Sequence, residues 1–385
     1  MIPNLSGPDL LLRGRSSRGR SLRAAVLLVA VLVATLAGCS DDGDPTGDGD
    51  GDRSGSTVGA SVDRASILAA VADDLIVPGY DDLSSSLDVF AESVSSLCSS
   101  PGDSELAAAR DAWRPAIAAW ETTTAFGIGP AMEHRLMSAV AFAARPAAID
   151  RVLAGDRGVD PESVRIEGAA VHGLIAAEHV LFTEVADVLV TPGGGRTCEY
   201  LHSVAVLAAD AAGSVAEEWG GAARRAFVES TGSGAEDSLP LLLNAVTHRV
   251  KAVDERSLRD IVAADSYDDL ADGRKDGPAG VGLSRQRTGL LSAIDVIGAG
   301  PTGISAIVRE RSPETADRLE AAAAAASAAV AGIPESVAGV WVDDATREQA
   351  AVAAEEVAAL KVILVTEVAS QLGVTITLSD GDGDS

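Results

Sequence analysis

Histidine, cysteine and aromatic residues are all scarce in this chain. Its 385 residues include five histidines and three cysteines, and Phe, Trp and Tyr together make up 3%. Each shortage excludes a class of chemistry. No His-Glu-x-x-His occurs, so the helical zinc site of the common metallopeptidases is absent. No Cys-x-x-Cys-His is present to attach a haem covalently, and there is no nucleophile-triad signature or phosphate-binding loop. Gly298-Ala299-Gly300 lacks the spacing of a dinucleotide fingerprint, and no strand precedes it. Runs of alternating apolar and polar residues, the mark of half-buried strands, are also missing.

The N-terminus carries a clear pattern. Arg13, Arg15, Arg18, Arg20 and Arg23 precede an apolar run from Ala24 to Ala37, broken only by Thr35, and small residues then lead into Cys39. This order is that of a secretory signal. The apolar run has 14 residues, short of the ~20 that span a bilayer as a helix. Leu36-Ala37-Gly38-Cys39 resembles the bacterial lipobox, in which the cysteine thiol is acylated and becomes the first residue of the mature protein. The alternative is an ordinary cleaved signal with a chance cysteine. The expectation is an exported protein, lipid-anchored through Cys39 to the cell envelope, on the periplasmic or outer face of a membrane. Residues 40–61 are mainly Asp, Gly, Ser and Thr and cannot bury enough apolar surface to fold. They read as an acidic tether. Asp48, Asp50 and Asp52 alternate as in a calcium loop, but the later bidentate glutamate is absent.

Residues 1–38 hold five arginines and one aspartate. Their removal leaves 25 basic against 56 acidic residues, a formal charge of −31. Such a surface repels nucleic acid and anionic lipid. With Cys39 lipidated, Cys98 and Cys198 remain. In an oxidising compartment one disulfide between them is the economical arrangement, and two separate buried thiols are the alternative.

Beyond the tether the chain is Ala-rich with helical periodicity. The pattern predicts helices near 62–77, 80–98, 103–125, 131–153, 168–190, 198–229, 237–264, 286–298, 313–331 and 344–372. Pro78-Gly79 is expected to break the first pair, Pro192 to Gly195 to end another, and the Asp- and Gly-rich residues 266–285 to form a long surface loop. In the last helix Val357, Leu360, Leu364, Val368 and Leu372 make an apolar stripe. The fold class is all-α, in packed bundles. A polar break at 230–236 suggests two halves, 62–232 and 233–385. There is a faint internal echo between Gly173-Leu174-Ile175-Ala176-Ala177-Glu178 and Gly303-Ile304-Ser305-Ala306-Ile307-Val308.

Three segments together resemble the imelysin-like, or M75 peptidase, family. The first is Trp113-Arg114, then Ala119-Trp120-Glu121, Ala125-Phe126 and Gly129-Pro130. The second runs from Gly173 to Phe182 and is similar to the family's glycine–x–histidine–x–x–glutamate helix. The third is Leu372-Gly373-Val374-Thr375 followed by Asp380-Gly381-Asp382-Gly383-Asp384. The resemblance covers roughly residues 100–385. It implies two helical bundles related by an internal repeat, and an association with iron or haem uptake. It therefore implies iron or another divalent metal, haem, a small ligand or an envelope protein as partner. The family's name implies a metallopeptidase as the alternative, and a structural or interaction module with a degenerate site is a third reading. The motif departs from the family at Ile175, where the histidine should stand, and Phe142-Ala143-Ala144-Arg145-Pro146 replaces a frequent Trp-Pro pair with an acid.

Within the motif helix Val171, Leu174, Ile175, Leu181, Phe182, Val185 and Leu189 share one face, and Glu178 falls in its middle. A carboxylate there requires a partner or a proton. Three roles are open to Glu178: pairing with a buried arginine or a helix terminus, contributing to a ligand or metal site, or acting as a general base. Gly173 is the motif's glycine. Glu121 is a second acid for the same cleft, or else part of a solvated helix face. His172 and His179 fall on the flank of the stripe as exposed residues, though His179 can approach a partner from another helix. Trp113 and Trp120, two turns apart, read as core.

Overall fold

The computed structural model describes residues 63–191, 194–270, 275–298 and 302–377. The leader, Cys39 and the tether lie outside these. So do Pro192 and Gly193, residues 271–274, Ala299 and Gly300, and the acidic ending 380–384. Among the described residues the structure is helical, with no strand.

The first bundle is built on three long helices. These are α2 (Val77–Ser99), α3 (Asp103–Thr123) and α10 (Gly195–Trp219), with α2 packed against both others. A short helix α1 (Arg64–Val71) leads into α2 through a π-turn, Ala72–Ile76. The expected break at Pro78-Gly79 does not occur. Pro78 sits in the first turn of α2, where a missing N–H is tolerated. The π-turn before it widens the backbone where the ring would otherwise meet the carbonyl four residues back. Gly79 serves packing instead: a Cβ there would lie 2.7 Å from the Phe126 ring. Cys98 and Cys198 are joined by a disulfide with Cα atoms 5.5 Å apart, pinning the last turn of α2 to the first turn of α10.

The scarce aromatic residues are concentrated. Tyr80 stacks on Trp219 and meets Phe126 edge-on, with ring centroids 6.1 and 5.7 Å away, and Trp219 meets Phe227. Trp113 and Phe182 form a second pair at 5.1 Å. Both Trp113 and Trp120 are core residues, as expected.

Three long predicted helices are fragmented. The 131–153 segment becomes α4 (Pro130–Glu133), α5 (Leu136–Val140) and α6 (Pro146–Ala154), because Arg135 adopts a left-handed conformation and Pro146 starts a new helix. After α7 (Pro161–Ile166), the 168–190 segment becomes α8 (Leu174–Phe182) and α9 (Ala186–Leu189), since Gly173 at φ 83° turns the chain just before α8. The 198–229 segment divides at Gly220-Gly221 into α10 and α11 (Ala222–Glu229).

The second bundle comprises α12 (Ser238–Val253), α13 (Arg259–Ala263), α14 (Gly282–Ile297), α15 (Ile304–Arg311), α16 (Pro313–Ala331), α17 (Val337–Val340), α18 (Asp344–Val362) and α19 (Ala369–Leu372). Here α14 packs on α12 and α16, and α16 on α18. The stripe at Val357, Leu360, Leu364, Val368 and Leu372 is buried. It crosses a π-turn at Ile363–Val368. The two bundles are related by an internal repeat. Gly173 and Gly303 both have φ 83° and ψ near 180°, and each precedes a short helix. The helices α3 and α14 pack against each other where the bundles meet, and Ser292 donates a hydrogen bond to the Thr122 carbonyl at 2.8 Å.

The 266–285 segment is not simply a surface loop. Its last residues already belong to α14. Asp276 is buried and accepts from the backbone N–H groups of Val337 and Ala338 at the start of α17. A polar, Gly-rich stretch can run inside a fold when its carboxylate satisfies a helix N-terminus in this way.

Candidate functional site

The motif glycine positions the site. At φ 83° Gly173 adopts a conformation that L side chains rarely take, and a Cβ would lie 2.6 Å from the Val140 carbonyl oxygen. It starts α8 directly against the first bundle. The Leu174 carbonyl then accepts from Trp113 Nε1 at 2.9 Å, which fixes the register of α8 and brings Glu178 inward. Glu178 is 2% exposed and Glu121 3%. Glu121 is therefore no part of a solvated helix face.

Two arginines of the second bundle meet these acids of the first. Arg285 Nε donates to Glu121 Oε1 at 2.9 Å, and Arg249 Nη2 lies 3.2 Å from Glu121 Oε2. Arg285 also faces Glu178 at 3.9 Å. The other Glu178 oxygen accepts from the Ala279 N–H at 3.0 Å. Arg249 Nη2 further donates to the Arg285 and Gln286 carbonyls at 3.3 and 3.2 Å. Glycines make room for both groups. A Cβ at Gly277 would fall 2.6 Å from Glu178 Oε1, and one at Gly289 would collide with the Arg249 guanidinium.

Burial pushes the Glu178 carboxyl above the usual glutamate range. The Arg285 charge, the Ala279 N–H and the Arg114 charge oppose that shift. Arg114 lies over the Phe182 ring, 5.5 Å from its centroid. Burial pushes Arg249 down, against the pull of Glu121, yet a guanidinium stays charged through such shifts. The cluster is thus two carboxylates balanced by two guanidiniums, with Arg114 nearby.

The histidines do not join it. His179 is half-buried and contacts Asp150 at 3.0 Å. It follows Glu178 directly in α8, so the helical turn points it elsewhere. His172 is buried rather than exposed, because the helix expected around it is broken at Gly173. Its Nδ1 has no hydrogen-bond partner, and burial lowers its pKa. Ile175 packs against the core.

These residues do not fit a metal. The carboxylate oxygens of Glu121 and Glu178 already face guanidinium and amide donors, and Ile175 offers no ligand atom. Among the described residues, no three His, Cys, Asp or Glu side chains are grouped to hold an ion. Cavities of about 350 to 800 Å³ lie elsewhere among the described residues. The arrangement joins the two bundles electrostatically.

Arg249 and Arg285 are not among the candidate residues that the sequence suggests. Arg249 could have been. It lies on the apolar face of Leu242, Val246, Val250 and Val253, as anomalous there as Glu178 is in α8. Arg285 gave no such signal, because it fell at the edge of the expected loop.

The imelysin (M75 peptidase) family model matches residues 76–372. No curated protein matches the sequence. Among solved structures, an imelysin-like protein from Psychrobacter arcticum 273-4 superposes with TM-score 0.66 at 18% identity, covering 83% of this chain and 98% of the other. A protein described as an iron-regulated protein A precursor from Parabacteroides distasonis ATCC 8503 gives TM-score 0.64 at 18% identity, covering 81% and 95%. The paired bundles, the turn at Gly173 and the family match over most of the chain lead to one conclusion: this chain belongs to the imelysin family.

Proposed function

We propose that this chain is a lipid-anchored envelope protein that works without catalysis and handles a small ligand in the cell's dealings with iron or haem. The observation that carries the non-enzymatic part is the pairing of Glu121 and Glu178 with Arg285 and Arg249. A carboxylate committed to a guanidinium is a poor general base, and the motif lacks the imidazole a peptidase metal would need. The lipobox-like Leu36-Ala37-Gly38-Cys39 supports the anchor. The name of the Parabacteroides relative supports the link to iron.

Three measurements test this reading. Labelled palmitate is expected in the wild type and not in Cys39→Ser; equal labelling removes the anchor. No peptide cleavage is expected with added Zn²⁺ or Fe²⁺. Cleavage abolished by Glu178→Ala would make the protein a peptidase. Its cellular level is expected to change under iron limitation, and a constant level at all iron concentrations removes the iron link.

A further inference from the structure

Away from the ion cluster, a cavity of about 570 Å³ opens between α2, the end of α3 and the α4–α5 turn. That size is typical of small-molecule sites. Its floor includes Tyr80 and Trp120, which are 0% and 8% exposed. The floor is stiff, because Tyr80 is stacked on Trp219 and donates from its hydroxyl to the Phe126 carbonyl at 3.1 Å. Met132 and Met137 also line the cavity and are 60% and 52% exposed. The sequence has three methionines, and these are the only two beyond Met1. A flexible thioether suits a surface that moulds to an apolar guest. A second cavity of about 800 Å³ shares Thr124, Gly127 and Met132 with the first, so apolar surface continues past Met132 toward α12.

Arg135 stands at the same cavity. It is the one non-glycine residue with positive φ among those described, at φ 50° and ψ 45°. Glycine or asparagine would hold this turn with less strain. Strain of this kind is characteristic of functional positions. The side chain is exposed, and no carboxylate pairs with it among the described residues, in a chain of net charge −27. Ser138 adds a hydroxyl at the rim.

We infer that this cavity binds an amphipathic anion: an unbranched apolar body under Met132 and Met137, with a single carboxylate on Arg135. This deepens the small-ligand part of the reading above and rests on it.

The test uses the mature chain carrying Cys39→Ser, titrated with decanoate, decanol and decyltrimethylammonium and followed by calorimetry and tryptophan fluorescence. Saturable one-to-one binding of decanoate is expected, tighter than that of the cationic analogue. Arg135→Gln should weaken decanoate by tenfold or more and leave decanol unchanged. Met137→Asp should weaken both. Arg135→Gly should raise the melting temperature while lowering decanoate affinity, since it relieves the strain and removes the cation. The inference is overturned if the folded wild type does not bind decanoate saturably, or if Arg135→Gln binds it equally well. Cuprous ion held by both methionines without competition from decanoate would also overturn it, by assigning the pair to a soft metal. Loss of this site in a protein that still cleaves no peptide leaves the non-enzymatic reading standing, whereas peptidase activity removes that reading first.

Discussion

Arg285 reaches two carboxylates at once, with Glu121 at 2.9 Å and Glu178 at 3.9 Å. Both acids belong to the first bundle and the arginine to the second. The contact to Glu121 is a hydrogen-bonded ion pair, while that to Glu178 is a longer Coulombic one, supplemented by the Ala279 N–H.

Removing the shared cation should therefore be severe. Arg285→Met leaves Glu178 with the weaker influence of Arg114 and Glu121 with Arg249 alone. Breaking a buried pair from one side costs about 3–5 kcal/mol. Urea unfolding is expected to show a loss of that order. Adding Glu178→Gln and Glu121→Gln should restore part of it, and no restoration would mean that packing accounts for the loss.

Two buried groups give opposite pH responses. Glu178 has a raised pKa in the fold, so the native state holds its proton more tightly than the unfolded chain. Its contribution is full below the unfolded glutamate value of 4.5 and is lost as pH rises through the folded value. His172 has a lowered pKa, so the unfolded chain takes up its proton first. Stability is lost as pH falls below the unfolded histidine value of 6.5. Melting temperatures of Glu178→Gln and His172→Phe against wild type across pH 4–8 should show differences that change with pH in opposite directions; parallel curves would contradict both assignments.

The two repeat glycines should be equally intolerant of a side chain. A Cβ at Gly173 would meet the Val140 carbonyl at 2.6 Å, and one at Gly303 the Ile297 carbonyl at 2.7 Å. Both also have φ 83°. Gly173→Ala and Gly303→Ala should each destabilise by about 1–3 kcal/mol from backbone strain, before any clash is counted. A neutral effect at either would mean that the turn can relax.

The disulfide closes a loop with a sequence separation of 100 residues. Removing such a bridge typically costs about 2–5 kcal/mol. Cys98→Ser/Cys198→Ser should unfold at lower denaturant concentration by that amount. Mass spectrometry without reductant should recover the two cysteine peptides joined; two free thiols would refute the bridge.

Much of this was legible from residue order. Helical periodicity carries the fold class, and the echo between residues 173 and 303 falls on two glycines that make the same turn. Glu178 stands out on its apolar stripe and Glu121 beside Trp120, and both acids face Arg285. What periodicity misses is local interruption. Arg135 breaks a predicted helix by adopting a left-handed conformation for which arginine gives no signal, and Gly173 breaks another although a lone glycine is often tolerated inside a helix. Buried helical faces also hide their ion partners. The counter-charges of Glu121 lie 128 and 164 positions along the chain, and nothing local announces them.

That separation also bears on how the protein is made. A chain emerging from the ribosome presents Glu121 and Glu178 long before Arg249 and Arg285 exist. The early bundle can gather its aromatic core, yet its two inward carboxylates are not both compensated until the first turn of α14 has been synthesised. Completion is therefore a late and collective event, and a product stopped near residue 232 would be an unfinished body rather than half of a working one.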